Sequence, residues 1–333
     1  MVNTGSGLRF TVALDRGGDI VEASYQGNNL AYLTPNGYKP PSHLLHRDED
    51  WLASWPGGLV TSCGPRYIGP GREEDGQALY LHGPLSNTPA ALLAVHNPDP
   101  RDGDLSMFLE MTNRDTRMYG PAVEVRRRLQ CTLGVPVIEF QDEVVNLGNV
   151  TVPHNWLYHV NFGYPLLDCD SQLVYSGRVN GGWEMGPNLT MADLPKQEDY
   201  SRFLKVPDPL SDHVGSGSRG LVLDVDADQG GIAHIGLVNP KLGLGVELAY
   251  SVQSLPRLAN WQHYGSRGSY VSALEPFSGS LFGKPNDHHR LAEQWLEPGQ
   301  SKQYDLTIMV HTDNGAAAKA LLTPGDKLVP DER

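Results

Sequence analysis

The chain has 333 residues and a formal net charge of −13, with 37 glycines and 25 prolines. This acidity argues against nucleic acid or an anionic membrane as a partner, because such partners require a basic patch that displaces counterions. The glycines and prolines occur in short clusters without a period, which is typical of many turns between short strands. All-β domains often exceed 200 residues, so we predict a single domain over residues 1–333.

The first ten residues lack the basic start and the apolar stretch of a secretory signal. No run of about 18 apolar residues is present that would span a membrane. We therefore expect a cytoplasmic protein. Cys63, Cys131 and Cys169 are far apart and form no Cys-x-x-Cys spacing, so we expect reduced thiols rather than a disulfide framework or a zinc cage.

Strand patterns dominate along the chain. Residues 8–14, 221–226 and 304–310 alternate apolar and polar side chains, a period of two that places one face on a core. The longest connected pattern, 124–147, leads into a second strand-like run at 156–165. These patterns predict an all-β fold, namely one large and strongly curved antiparallel β-sandwich.

Three stretches interrupt this rhythm. Residues 38–55 are polar and carry two histidines and two tryptophans, and residues 181–220 contain scattered proline, glycine and charge. We interpret both as long loops over one rim of the sheet, where binding sites tend to lie. Residues 314–322 are rich in alanine and begin with Asn314, a helix-capping residue type, which predicts one short helix late in the chain.

Two histidines and one glutamate stand in strand-like sequence at widely separated positions. His82 precedes Gly83, which permits a sharp turn and the close approach of a ligand. His159 lies in an aromatic run, and strand alternation places it on the same face as Asn161. Glu275 ends an apolar strand, where burial would raise its basicity. Together these groups can move a proton on and off a neutral substrate.

The order and local sequence of three segments, residues 81–90, 142–165 and 274–276, resemble the aldose 1-epimerase (galactose mutarotase) family. The likeness is greatest to a bacterial branch of unassigned substrate and covers residues 9–310. It implies a large antiparallel β-sandwich of the mutarotase-like (supersandwich) type. It also implies an isomerase that opens and closes the ring of a monosaccharide or sugar acid by general acid–base catalysis.

The resemblance implies a role for each residue. Glu275 would be the general base at the anomeric hydroxyl, and His159 the general acid at the ring oxygen. His82 would hydrogen-bond the sugar and help to position the acid. Arg66 precedes His82 by the distance at which the family places a sugar-binding arginine. Apart from the resemblance, the shared strand face of His159 and Asn161 suits a pocket, so we expect Asn161 to line it and contact the substrate.

Trp261 and Gln262 lie where the neighbouring strand would pass the pocket, and an aromatic plane there would stack on the apolar face of a sugar. The sequence departs from galactose mutarotase at three points. Pro65 replaces the usual asparagine before the arginine, Pro276 follows Glu275, and no match is found for the aspartate that many mutarotases use to hold sugar hydroxyls. These departures leave the identity of the sugar open.

Two alternatives from other classes remain. A metal-assisted sugar or keto-sugar isomerase or lyase on the same fold would use His82, His159 and Glu275 as ligands. The pair His43 and His46 and the run 287–289 do not complete a zinc spacing, so we expect no metal and no cofactor. The second alternative is a non-catalytic carbohydrate-binding protein, which would have no need to retain both imidazoles and the carboxylate.

The expected partner is a small-molecule sugar, with no nucleic acid and no membrane, and a homodimer is compatible with the sequence. A substrate with a phosphate or sulfonate group is a further option, since Arg66, Arg72 and Lys284 would supply cations. However, the sequence contains no glycine-rich phosphate loop.

Overall fold

The computed structural model describes residues 1–41, 50–74, 77–185, 191–193, 199–282, 294–312 and 328–330. Within these ranges the regular structure consists of strands and short 3₁₀ helices. The predicted helix at 314–322 lies outside the described residues, as do His43, His46, Lys284 and the run 287–289.

The strands of the first half are Val2–Asn3 (β1), Leu8–Ala13 (β2), Asp19–Tyr25 (β3), Asn28–Asn29 (β4), Tyr32–Leu33 (β5), Gly57–Gly58 (β6), Val60–Cys63 (β7), Arg72–Glu74 (β8), Gln77–Leu79 (β9), Ala91–His96 (β10), Ser106–Thr116 (β11), Ala122–Thr132 (β12), Val137–Asn146 (β13), Val152–His154 (β14) and Trp156–Phe162 (β15). Those of the second half are Gln172–Val174 (β16), Gly177–Met185 (β17), Met191–Asp193 (β18), Ser218–Val225 (β19), Ile232–Asn239 (β20), Leu244–Ser251 (β21), Arg257–Tyr264 (β22), Tyr270–Ser278 (β23), Gln294–Leu296 (β24), Ser301–His311 (β25) and Leu328–Pro330 (β26). The 3₁₀ helices are Leu14–Arg16, Asp50–Ala53, Leu85–Asn87 and Ser201–Phe203.

Two large sheets contain most of these strands. The first follows the order β1-β2-β3-β7-β15-β23-β22-β19-β17-β18, with β4 added beside β3 and β26 beside β17. The second follows the order β10-β11-β12-β13-β25-β21-β20-β16. Among the described strand pairs, β17 with β26 is parallel and the rest are antiparallel. The prediction of an all-β antiparallel sandwich is confirmed.

The main core lies between the two sheets. Strand alternation sends Tyr158 and Val160 inward from β15, where they join Phe140 of β13 and Leu248 of β21 in one buried cluster. Full burial of such a side chain stabilises the fold by roughly 1.5–3 kcal/mol. Because neighbouring residues of a strand point to opposite faces, His159 is directed to the other side of the first sheet.

The interpretation of residues 181–220 as one long loop is wrong in part, because β17 extends to Met185 and β19 begins at Ser218. Gly181, Gly182 and Gly220 of this stretch lie in strands. Gly220 pairs with Trp183 on the adjacent strand. A Cβ added to Gly220 would lie 2.3 Å from the Trp183 indole, so the missing side chain makes room for the tryptophan ring.

Candidate active site

His159 and Glu275 lie side by side on adjacent strands of the first sheet. Val160 of β15 pairs with Leu274 of β23, so the residues next to this pair, His159 and Glu275, stand opposite each other. Nε2 of His159 is 3.3 Å from Oε1 of Glu275. The two residues are 6% and 3% exposed, so the pair is largely removed from water.

His82 reaches the same place from a loop. Its backbone has a φ of 59°, in the left-handed region, and such strain is often found at functional sites. The ring lies 5.4 Å from that of His159. Nδ1 of His82 donates to the carbonyl of Ile68 at 2.9 Å, which leaves Nε2 of the neutral ring as an acceptor for a ligand. At Gly83 an added Cβ would lie 2.3 Å from the Tyr67 carbonyl, so this turn requires glycine.

Asn161 lies on the same face as His159 but is fully buried. Its side-chain amide donates to the carbonyls of Gly58 and His159, at 3.2 and 3.0 Å. This orients Oδ1 toward Nδ1 of His159, 2.5 Å away. The structure therefore presents Asn161 to His159, where the sequence-based expectation was a contact with the sugar.

Aromatic rings surround the two histidines. Trp55 and Trp261 lie 6.0 and 5.7 Å from the His159 ring, and Trp51 lies 6.4 Å from the His82 ring. Nε1 of Trp51 is buried without a hydrogen-bond partner among the described residues, so it is available to a bound polar group. Nε1 of Trp55, in contrast, donates to Thr61 Oγ1 at 3.0 Å.

Trp51 and Trp55 were not predicted as site residues. The sequence places them in the polar stretch 38–55, and both are nearly buried. The one signal that would have pointed to them is the occurrence of two tryptophans within five residues of polar sequence, since large aromatic side chains in such a setting are often buried against something.

Burial controls the electrostatics of this site. It raises the pKa of Glu275 well above its usual value. Burial, followed by the proximity of His82, lowers the pKa of His159 to about 3. Burial also lowers the pKa of His82. All three shifts favour the neutral form of each group, so burial opposes charge on both imidazoles and on the carboxyl.

Two predicted residues are not brought into this group. Gln262 follows Trp261 on β22 and therefore points to the opposite face, where its amide accepts from Arg219 at 2.9 Å and donates to the carbonyl of Phe203 at 2.7 Å. Arg66 forms a two-bond ion pair with Asp115, at 2.6 and 3.1 Å. Its guanidinium is thus already engaged by a carboxylate from β11.

The described residues contain no group of three or more His, Cys, Asp or Glu side chains arranged to hold a metal ion. Nor does any helix in the described part of the chain have the length and apolar character to cross a membrane.

The fold is of the galactose mutarotase-like type. The chain belongs to the family described as a domain of unknown function, DUF4432, whose family model matches residues 1–310. No curated protein sequence matches it.

Solved structures share the fold. A candidate aldose 1-epimerase from Klebsiella pneumoniae superposes with a TM-score of 0.81 at 19% identity, covering 98% of this chain and 84% of the Klebsiella protein. A galactose mutarotase-like protein from Clostridium acetobutylicum gives a TM-score of 0.62 at 13% identity, covering 92% and 94%. An aldose epimerase homologue from Caenorhabditis elegans gives 0.58 at 13% identity, covering 94% and 98%. The resemblance to aldose 1-epimerases is thereby confirmed at the level of the fold.

Proposed function

We propose that this protein is an aldose 1-epimerase-like isomerase that exchanges the anomers of a monosaccharide or sugar acid. The observation that carries the proposal is the 3.3 Å contact between Nε2 of His159 and Oε1 of Glu275. Both groups are buried, and Oε1 makes no hydrogen bond with a described residue. Oε1 of Glu275 can therefore form a hydrogen bond with a polar ligand.

The chemistry of anomer exchange fits this pair. Ring opening removes a proton from the anomeric hydroxyl and adds one to the ring oxygen, and ring closure reverses both transfers. The two oxygens are bonded to the same carbon, so the acid and the base must also lie close together. His159 and Glu275 satisfy that requirement.

The surroundings favour a sugar as the ligand. Trp261 is half-buried beside His159, where its ring would stack on the C–H face of a sugar. Nε2 of His82 and Nε1 of Trp51 offer an acceptor and a donor for hydroxyl groups. A polar ligand with one apolar face matches this combination.

The test is an NMR saturation-transfer measurement of exchange between α and β anomers, on a panel of neutral aldoses and uronates. We expect at least one sugar to exchange faster with the protein than with buffer alone, and to quench the tryptophan fluorescence at matching concentrations. Binding of a sugar without faster exchange would identify a carbohydrate-binding protein instead. Absence of both effects across the panel would contradict the proposal.

A further inference from the structure

Arg16 is a fully buried arginine that bonds to uncharged acceptors. It is the last residue of the 3₁₀ helix Leu14–Arg16 and is 0% exposed. Its Nη2 donates to the carbonyls of Ser54 and Lys39 at 2.8 and 2.9 Å, its Nε to the same Lys39 carbonyl at 3.1 Å, and its Nη1 to Oδ1 of Asn87 at 2.9 Å. A buried guanidinium needs such bonds to replace its lost hydration. Its planar fork thereby joins three points of the chain.

The Ser54 carbonyl belongs to the turn that carries the two tryptophans of the site. The backbone amides of Ser54 and Trp55 both donate to the carbonyl of Trp51, at 3.0 and 2.9 Å, so these residues form one compact turn. The Trp51 ring lies 6.4 Å from the His82 ring. The bond from Arg16 to Ser54 therefore fixes the turn that places an indole beside His82.

The bond to Asn87 ties the same guanidinium to the segment that carries His82. Asn87 is the last residue of a 3₁₀ helix that begins three residues after His82. The backbone next to Arg16 holds this segment as well, because the amide of Gly17 donates to the carbonyl of Thr88 at 2.9 Å. Arg16 thus connects the segment of His82 with the turn of the tryptophans, on the side away from the ring contact.

We propose that Arg16 is a positioning residue, which holds the turn of Trp51 and Trp55 against the segment of His82 and so keeps the sugar-binding groups of both in register. This inference rests on the proposed function. Nε1 of Trp51 and Nε2 of His82 are offered to sugar hydroxyls, and these hydroxyls are present both in the substrate and in the transition state. Loss of their alignment should therefore raise KM and change kcat little.

Further bonds keep the tryptophan turn folded when Arg16 is replaced. Nδ2 of Asn36 donates to the carbonyls of Leu52 and Trp55, at 2.7 and 2.9 Å, and Oγ1 of Thr34 donates to the Trp55 carbonyl at 2.8 Å. These bonds hold the turn without reaching the segment of His82. Replacement of Arg16 should therefore release the connection between the two segments and leave the turn itself intact.

A spectroscopic measurement without sugar tests the positioning directly. The indole N–H signal of Trp51 in ¹H–¹⁵N NMR spectra, assigned with Trp51→Phe, should shift in Arg16→Ala. Millimolar methylguanidinium, which fits the space left by the side chain, should restore the native signal. Asn87→Ala cuts only the bond on the His82 side and should shift the signal in a protein that folds. A native Trp51 signal in folded Arg16→Ala, or in Asn87→Ala if the first variant does not fold, would overturn the proposal.

Kinetics of anomer exchange separate positioning from general structural support. Arg16→Ala should raise KM by roughly 10-fold, the size expected for the loss of one hydrogen bond, and methylguanidinium should reverse the change. Arg16→Ala should add little to the KM of Trp51→Phe, because both remove the same contact. Arg219→Ala is the matched control, since Arg219 is also nearly buried and also donates to a backbone carbonyl, but on the core side of the first sheet. It should lower stability and retain the native KM. An equal rise of KM in Arg219→Ala, or full additivity with Trp51→Phe, would refute the positioning role.

The two proposals fail in different ways. A displaced Trp51 signal in Arg16→Ala, restored by methylguanidinium, in a protein that exchanges no sugar would remove the proposed function and leave the connection made by Arg16 intact. Anomer exchange by the native protein, with an unchanged Trp51 signal and an unchanged KM in folded Arg16→Ala, would do the reverse.

Discussion

Tyr158 and His159 are neighbours in sequence and act on opposite sides of the first sheet. The hydroxyl of Tyr158 donates to Oδ2 of Asp142 at 2.7 Å, inside the core. Asp142 also holds Arg127 through two bonds of 2.7 and 2.8 Å. His159, on the other face, contacts Glu275. The strand that carries His159 is thereby fixed on its core side by a buried ion pair of the second sheet.

Removing the interactions of Asp142 with Tyr158 and Arg127 should lower the stability of the protein. Tyr158→Phe removes a hydrogen bond to a buried carboxylate and should lower the free energy of unfolding by about 2 kcal/mol. Arg127→Met leaves Asp142 unpaired and should cost about 3–5 kcal/mol. Urea unfolding measures both. Tyr164→Phe is the matched control, because Tyr164 is 70% exposed, and it should change little. Equal effects of the two Tyr→Phe changes would contradict the anchoring role.

His154 makes stability depend on pH. It is enclosed between the Pro65 carbonyl and the Tyr304 hydroxyl, and burial lowers its pKa from 6.5 to about 4. The unfolded chain therefore binds this proton more readily than the folded protein. Stability from His154 is complete above pH 6.5 and is lost as the pH falls toward 4, by about 3 kcal/mol in total.

The comparison of unfolding curves for the native protein and His154→Gln isolates this effect. Asp19 acts in the opposite direction, because burial raises its pKa to about 6 and the folded state retains its proton longer. The contribution of Asp19 is the same in both proteins, so it cancels when their free energies of unfolding are subtracted. We expect the native protein to lose stability relative to His154→Gln on acidification, and a difference independent of pH would contradict the assignment.

Trp261 should contribute to sugar binding more than to folding. Trp261→Leu removes the aromatic plane beside His159 and should weaken affinity by roughly 0.5–1.5 kcal/mol, the typical value of an aromatic contact beyond its area. Affinity is measured by calorimetry on the sugar that exchanges fastest. Trp295→Leu serves as control, since Trp295 is 44% exposed on β24. Equal losses in the two variants would argue against a stacking platform at Trp261.

Removal of metal ions should leave the reaction unchanged. Nδ1 of His159 is engaged by Asn161, and Nε2 faces Glu275. Proton transfer between this pair and the sugar therefore explains the arrangement without a bound metal ion. Exchange rates before and after treatment with a strong chelator provide the measurement. A stoichiometric zinc, iron or manganese ion bound by two of His82, His159 and Glu275, whose loss abolishes exchange, would favour the metal-assisted isomerase or lyase.

Local sequence was sufficient to find the residues whose position depends on strand alternation. His159 and Glu275 were expected in apolar strands, and the sheet register then sets them opposite each other. The same rule allows only one of Trp261 and Gln262 to face the site. Local sequence could not decide which, because that depends on Ala259 pairing with Glu275.

Sequence patterns could not predict the contacts between distant segments of the chain. Arg66 is held by Asp115, which lies 49 residues away. Trp51 and Trp55 are buried by packing against strands that follow much later in the chain. Such contacts depend on the whole sandwich and leave no periodic signal in the segment itself.

The central claim, that Glu275 and His159 exchange protons with a bound sugar, is tested most directly by Glu275→Gln. The amide preserves shape and still hydrogen-bonds a sugar hydroxyl, but it cannot give or take the proton. We expect affinity to change little and anomer exchange to slow by roughly 10²-fold or more. Glu247→Gln, at a nearly buried carboxylate held by His234 and His311 on the second sheet, should retain exchange. Equal exchange rates in the native protein and Glu275→Gln, on a sugar that both bind, would contradict the claim.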